Sequence, residues 1–510
     1  MVVKLSVVCL FLSCSVAGFA QSYKPPVFTD AQREEKVAAA FPAIAHMYED
    51  YAAKNHIPGL VYGIVLDGKL LHTGQIGYTD ISSKTVAGPT SDFRIASMSK
   101  SFTAMAILKL RDEGKLKLDD PIGMYVTEMQ HSKPLTKDAP EVTIRNLLTH
   151  SAGYPEDNPW GDRQLAGTDE ELLAIYKNGL SFSNDPGLGY EYSNLGFATL
   201  GYIIKKVSGI PYQDYINANI LKPLGMTHTY WEYTKVPPAQ LAHGYRWIDS
   251  KWIEQPMLHD GAYGAMGGLI TTIEDFSKYM AFQLSAWPPR DDQENGPVKR
   301  SSVREMQYPW NIYSMNATAI SNGKPCPQVN AYAYGLRWTK DCENRVYVGH
   351  TGGLPGFGSQ WNIMPEYGIG IVSFANATYA RAAVINSHAL DTLLSISGIT
   401  PRQLPASDIL VQRKNELLKV LPDWKTAEKS GIFAQNFFMD YFTAELKKEA
   451  VSIYAAAGKI KSVHELVAEN QLRGYCILEG ENANIKVSFT LTPQNPALIQ
   501  EYHLQLIKKE

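Results

Sequence analysis

The chain has 510 residues, 45% of them hydrophobic and 19% charged, with a formal net charge of −3. This is globular composition, long enough for two or more domains. The near-neutral balance, with no long run of one sign, excludes nucleic acid or an acidic membrane surface as a standing partner.

Residues 1–20 read as a signal peptide. Lys4 supplies a positive start, VVCLFLSCSVAGFA is an apolar run, and Gly18-Phe19-Ala20 ends in small residues, so Gln21 would open the mature chain. The rival reading, an uncleaved anchor, suffers from an apolar run too short to span a bilayer comfortably. The expectation is an exported protein, periplasmic or secreted, with no membrane span after cleavage. Of five cysteines, Cys326, Cys342 and Cys476 would remain. Export permits a disulfide, and Cys326–Cys342 is the plausible pair, with three free thiols as the alternative. No Cys/His spacing resembles a zinc site, so no metal and no cofactor is expected.

Helical periodicity runs over 30–56. Two β-rich runs, GLVYGIVL and KLLHTGQIGY, flank Asp67-Gly68 and predict a hairpin. A buried helix is expected over 97–113, stopped by Gly114, because AMAIL is apolar on all sides. Further helices are expected over 142–150, 168–178, 193–208, 212–222 and 272–284. From 286 to 332 the pattern fails and the stretch reads as a long loop. Strands resume in YGLRWT, RVYVGH, GSQWNIMP and GIGIVSFA, followed by a helix over 379–397. This order suits one mixed sheet fed from both ends of the unit, with a helical insert. The chain breaks near 398–407, giving a linker over 399–426 that includes a polar helix at 408–420. Residues 427–510 read as a small α+β domain, with helices followed by four β-like runs.

The stretch RIASMSKSF places Ser97 and Lys100 three apart at the head of a buried helix. Positions i and i+3 share a face with Cβ atoms about 5–6 Å apart, so the lysine can reach the serine hydroxyl. A serine is a weak nucleophile until its proton is taken, and a lysine can take it only if burial or nearby cations lower its pKa. The pattern alone is cheap: Ser321-Asn-Gly-Lys324 matches it too, in a Gly/Pro-rich loop. Two other stretches matter. DPGLGYEYSNLG carries Tyr192 and Asn194 at the head of a helix, and RVYVGHTGGLPGFG carries His350, Thr351, Gly352 and Gly353 at the end of a β-run. Taken singly, Tyr192 reads as a packing tyrosine, Asn194 as a helix cap, His350 as a satisfied strand-end histidine and His150 as structural. Ser99 reads as packing or pocket lining, and Tyr190 is out of register with the Y-x-N pattern.

Together these motifs (S-x-x-K, Y-x-N, H-x-G), in this order and spacing, resemble the serine β-lactamase and penicillin-recognising family over residues 35–397. The resemblance is to its class C β-lactamase, DD-peptidase, esterase and D-aminopeptidase branch. LLTHSAGYP and GAMGGLITTIEDFSKYM look like that branch as well. The resemblance implies a β-lactamase/transpeptidase-like α+β fold over 21–398, with an antiparallel sheet flanked by helices plus a helical subdomain. Residues 427–510 look like a cystatin-like or nuclear-transport-factor-like roll. The family resemblance implies Ser97 as acylated nucleophile, with Lys100 and Tyr192 sharing the proton work. Asn194 would bind Lys100 and substrate. The N–H groups of Ser97 and Gly353 would form the oxyanion hole, and His350, Thr351 and Gly352 would line the substrate strand. A phenol is poised for proton transfer only if a cation such as Lys100 holds its pKa down. Where the family's β-lactam-directed members usually carry lysine, this chain has His350, a weaker donor to a carboxylate unless an arginine reaches in from elsewhere. The expected function is therefore a serine hydrolase of an ester or amide, an esterase or D-amino-acid-type peptidase or amidase. The alternatives are a penicillin-binding or sensing protein with little turnover, or a weak β-lactamase.

Overall fold

The computed structural model describes residues 23–321 and 323–509, so the expected leader lies outside the described residues. The chain divides into two compact units. One is Phe28–Arg402; the other comprises residues 403–509 together with 23–27.

The larger unit is built on a nine-stranded sheet. Its strands are β1 Gly59–Leu66, β2 Lys69–Asp80, β3 Thr85–Val86, β4 Asn311–Asn316, β5 Gln328–Tyr332, β6 Arg337–Lys340, β7 Val346–Leu354, β8 Phe357–Met364 and β9 Ile369–Ala375. The spatial order is β3-β2-β1-β9-β8-β7-β6-β5-β4. All the pairings are antiparallel, not mixed, which short local connections such as the Asp67-Gly68 turn allow. That turn has positive φ at both residues (49° and 82°), the geometry Asp-Gly favours in a two-residue hairpin. The stretch 286–332 is not a loop: it holds a helix, Arg300–Met306, and strands β4 and β5. Its Pro/Gly-rich sequence hides them because these strands are fixed by pairing with each other and with β6 rather than by their own composition.

Strand β1 is buried on both faces. Leu60, Tyr62 and Ile64 pack with Ile44 and Tyr48 of α1 (Phe41–Lys54) and Leu390 and Leu393 of a later helix, Ala382–Ser397. Val61 and Val65 face the other way, into a core with Phe93, Phe102, Phe276 and Trp361. Each such side chain, fully buried, contributes roughly 1.5–3 kcal/mol. This second core surrounds α2, Lys100–Asp112, which follows a 3₁₀ turn at Ala96–Ser99 and is followed by Gly114 at φ 73°. Helix α3, Asn194–Ser208, packs beside α2. Among the described residues, no helix is long and apolar enough to cross a membrane.

The second unit has a five-stranded antiparallel sheet, with strands Ile460–Val463, Val467–Asn470, Arg473–Gly480, Ala483–Leu491 and Ile499–Lys508. Ala483–Leu491 alternates buried and half-buried residues, as its sequence does. Helix Asp408–Val420, read as part of a linker, places Leu410 and Leu417 in this unit's core, so its apolar stripe is a packing face. Cys326 and Cys342 are disulfide-bonded; Cys476 is free and buried.

Candidate active site

Ser97 sits in the 3₁₀ turn that precedes α2. The residue before it, Ala96, has φ 51°, a left-handed conformation that costs a non-glycine residue about 1–3 kcal/mol and clusters at functional sites. Neighbouring chain holds the turn in place. The Ile95 N–H donates to Leu269 O, Ser99 Oγ donates to Ala96 O and accepts from the Leu269 N–H, and Thr103 Oγ1 donates to Ala265 O. Ser99 is thus a structural brace. Strand β7 comes close behind the turn: a Cβ on Gly352 would stand 2.1 Å from Ile95 O, so only glycine fits there.

Lys100 is fully buried. Its Nζ lies 3.1 Å from Ser97 Oγ, 2.7 Å from Asn194 Oδ1 and 2.9 Å from Met266 O. Burial pulls its pKa down to about 7; Asp162 and Asp157 work against that shift and Arg337 adds to it. Two of the three partners are acceptors only. A neutral amine would commit both hydrogens to them, leaving its lone pair for the Ser97 hydroxyl proton.

Asn194 is held by a chain of bonds. Asp157 accepts from the N–H groups of Asn194 (2.6 Å) and Leu195 (2.8 Å) and from Ser193 Oγ, satisfying the start of α3. Ser193 is the N-cap, its Oγ accepting from the Gly196 N–H, so Asn194 is free to serve Lys100. The Ser193 N–H donates to His150 Nδ1 at 3.1 Å, and the His150 ring lies 4.3 Å from that of Tyr192. His150 therefore shapes the loop carrying Tyr192 and Asn194. The Tyr192 ring is 4.8 Å from Lys100 Nζ, and its hydroxyl is hydrogen-bonded to Ser97. The phenol is not held down as expected. Burial pushes it well up, against the Ser97 hydrogen bond and the charge of Arg337. The amine expected to lower it is itself pulled toward neutrality.

His350 is buried behind the strand with both ring nitrogens occupied. Nδ1 donates to Thr351 O at 2.6 Å, and Nε2 accepts from the Tyr332 hydroxyl at 2.8 Å. Burial and the charges of Arg337 and Lys100 push its pKa well below the ordinary value, so the ring is neutral. Thr351 and Gly353, by contrast, line a cavity of about 360 Å³ with Ser97, Tyr192, Arg337 and Asp162. Strand β6 pairs with β7 only as far as Gly349, leaving residues 350–354 without a strand partner on that side among the described residues. An extended substrate can add there by main-chain hydrogen bonds.

Arg337 opens β6 and enters this cavity, a position its ordinary strand sequence, YGLRWT, does not reveal. It donates to the Tyr313 hydroxyl at 3.2 Å, lies 5.7 Å from the Tyr192 ring, and pairs with no carboxylate among the described residues. Burial works against its charge, but the surrounding tyrosines 190, 313, 192 and 332 more than offset it. Asp162 and Tyr379 also escaped sequence reasoning, since both sit in irregular chain outside any motif. The other S-x-x-K match is not a site of this kind: Ser321 Oγ donates to Asp391 Oδ2 and accepts from Arg345 Nη2. Among the described residues no group of three or more His, Cys, Asp or Glu side chains is placed to hold a metal ion.

The fold and site define a β-lactamase/transpeptidase-type protein. The chain belongs to the Beta-lactamase family, whose model matches residues 44–394. This is a family of serine hydrolases with penicillin-binding proteins among its members. Protein flp of Staphylococcus aureus (strain COL) is 32% identical over 330 residues, 63% of this chain and 60% of that protein, so the match spans less than two thirds of the relative's length. Penicillin-binding protein 4* of Bacillus subtilis (strain 168) is 30% identical over 202 residues, 39% of this chain and 43% of that one. The octameric penicillin-binding protein homologue from Pyrococcus abyssi aligns with a TM-score of 0.58 at 23% identity, covering 92% of this chain and 96% of that chain. A penicillin binding protein from Bacillus halodurans aligns with a TM-score of 0.53 at 22% identity, covering 70% and 98%. These last two likenesses are of fold alone.

Proposed function

We propose that the protein hydrolyses esters or amides through an acyl-enzyme on Ser97, and that its substrates carry a carboxylate on the leaving side. The observation that supports the chemistry is the Lys100 amine, buried, 3.1 Å from Ser97 Oγ and committed elsewhere to two pure acceptors. Ser97 Oγ attacks the carbonyl carbon while its proton passes to Lys100 Nζ. The developing oxyanion is met by the N–H groups of Ser97 and Gly353. Collapse expels the alcohol or amine, which takes back a proton. Tyr192, kept protonated by burial, acts here as a donor or relay beside Ser97 rather than as a phenolate base. Water then attacks the acyl-serine with Lys100 again accepting the proton.

Arg337 supports the carboxylate. Histidine in place of lysine at position 350 argued for weak carboxylate binding, and its ring in fact faces away from the cavity; a guanidinium with no carboxylate partner among the described residues reverses that expectation. A peptidase acting next to a free C-terminal carboxylate is favoured over a simple esterase. Export is inferred from the leader-like residues 1–20 and supported by the Cys326–Cys342 bridge, which an oxidising compartment maintains. N-terminal sequencing of the protein recovered outside the cytoplasm should read from Gln21.

The testing panel pairs wild type, Ser97→Ala, Lys100→Ala and Arg337→Met with four substrates. These are a short-chain nitrophenyl ester, a D-alanyl anilide, a chromogenic cephalosporin and a D-alanyl-D-alanine peptide. Turnover of the carboxylate-bearing substrates, lost in Ser97→Ala, is expected. Full activity in Ser97→Ala would overturn the mechanism, and an Arg337→Met variant whose preference for carboxylate-bearing substrates is unchanged would overturn the substrate assignment.

A further inference from the structure

The cavity beside Ser97 carries opposite fixed charges toward its two ends. Arg337 stands across from Gly349 of β7. Gly353 is four residues further along the same strand, roughly 13 Å at 3.3 Å per residue. At that end stands Tyr379: a Cβ on Gly353 would come within 2.9 Å of its ring. The Tyr379 hydroxyl donates to Asp162 Oδ2 at 3.1 Å, and its N–H donates to Phe357 O. Asp162 is 4% exposed and lines the cavity, and its Oδ1 makes no hydrogen bond among the described residues. The carboxyl is raised to about 6 by burial, against the pull of Lys100 and the Tyr379 hydroxyl, so it is mainly ionised at neutral pH.

We propose that Asp162 and the Tyr379 ring form a subsite for a substrate ammonium group on the acyl side of Ser97. A carboxylate oxygen open to a cavity beside an aromatic ring is a fitting receptor for a primary ammonium. Together with Arg337, it selects zwitterionic ligands: a short peptide or aminoacyl compound with a free amine on the acyl part and a carboxylate on the leaving part. Blocking the amine leaves Asp162 desolvated and unpaired, which penalises the acetylated analogue. The substrate class named here rests on the acyl-serine reading given above, but the binding does not require turnover.

The test is calorimetric titration of the full-length Ser97→Ala protein at neutral pH with D-alanyl-D-alanine and with N-acetyl-D-alanyl-D-alanine. The free-amine dipeptide should bind roughly tenfold tighter. Adding Asp162→Asn should bring the two affinities within about twofold of each other, and Asp162→Glu should restore part of the preference. Equal binding, preference for the acetylated ligand, or no binding of either in the Ser97→Ala protein overturns the proposal before any Asp162 variant is needed. So does a preference that survives Asp162→Asn. If Asp162 served only to tune Lys100, its substitution would weaken both ligands alike and leave their ratio intact. Failure of the hydrolase reading shows separately: the wild type would leave both dipeptides uncut while the Ser97→Ala protein still discriminated between them.

Discussion

The same four-residue pattern occurs twice in this chain with opposite consequences. At Ser97–Lys100 the two residues lie at the head of a buried helix, the amine is shut away from water, and burial brings its pKa into the neutral range. At Ser321–Lys324 the residues lie on a two-stranded hairpin, Lys324 is exposed, and the serine hydroxyl is engaged with Arg345 and Asp391. On the mechanism proposed for Ser97, such a pattern can act as a site only where the fold desolvates the lysine and leaves the serine facing a cavity. At the second position the serine joins a structural network and the lysine stays exposed to water.

The largest effect that separates the two is at the serines. Ser97→Ala should lower acyl transfer by roughly a thousandfold or more, while Ser321→Ala should leave kcat/KM unchanged. The lysines come next. Lys100→Ala should cost about a hundredfold or more, and Lys324→Ala nothing measurable. The pH profile sharpens this point. Protonated Lys100 cannot accept the Ser97 proton, so kcat/KM should fall as pH drops below about 7 and level off above it. A rate that stays flat from pH 5 to 8 would contradict the role given to the amine. Arg337→Met should raise KM for carboxylate-bearing substrates by about tenfold to a hundredfold, with little change for a neutral ester.

Smaller effects test the structural side of the comparison. The Cys326–Cys342 bridge closes a loop of the size for which chain entropy predicts about 3 kcal/mol, so the paired serine variant should unfold at lower denaturant concentration. Ser321→Ala should cost about 1–2 kcal/mol by leaving part of the Arg345–Asp391 network unpaired, again without loss of activity.

What the sequence disclosed follows the range of the interactions. Local signals were legible: the Asp67-Gly68 hairpin, the stop at Gly114, the alternation of Ala483–Leu491. So was the meeting of Ser97 and Lys100, because the two side chains lie within one turn. Strands β4 and β5 were not, since their register depends on pairing with each other and with β6 rather than on their own composition. Arg337 reads as an ordinary strand residue until its pairing with Gly349 brings it to the cavity. His350 was given a place along the substrate strand because its motif neighbours belong there. Only the partners Tyr332 and Thr351 reveal that its ring is turned inward.

The most direct measurement is mass spectrometry of the intact, full-length protein after exposure to a fluorophosphonate, followed by peptide mapping. One phosphonyl adduct per chain on Ser97, absent from Ser97→Ala and slow to form in Lys100→Ala, is the predicted result. An adduct on Ser321 or another residue, or labelling that persists in Ser97→Ala, would contradict it.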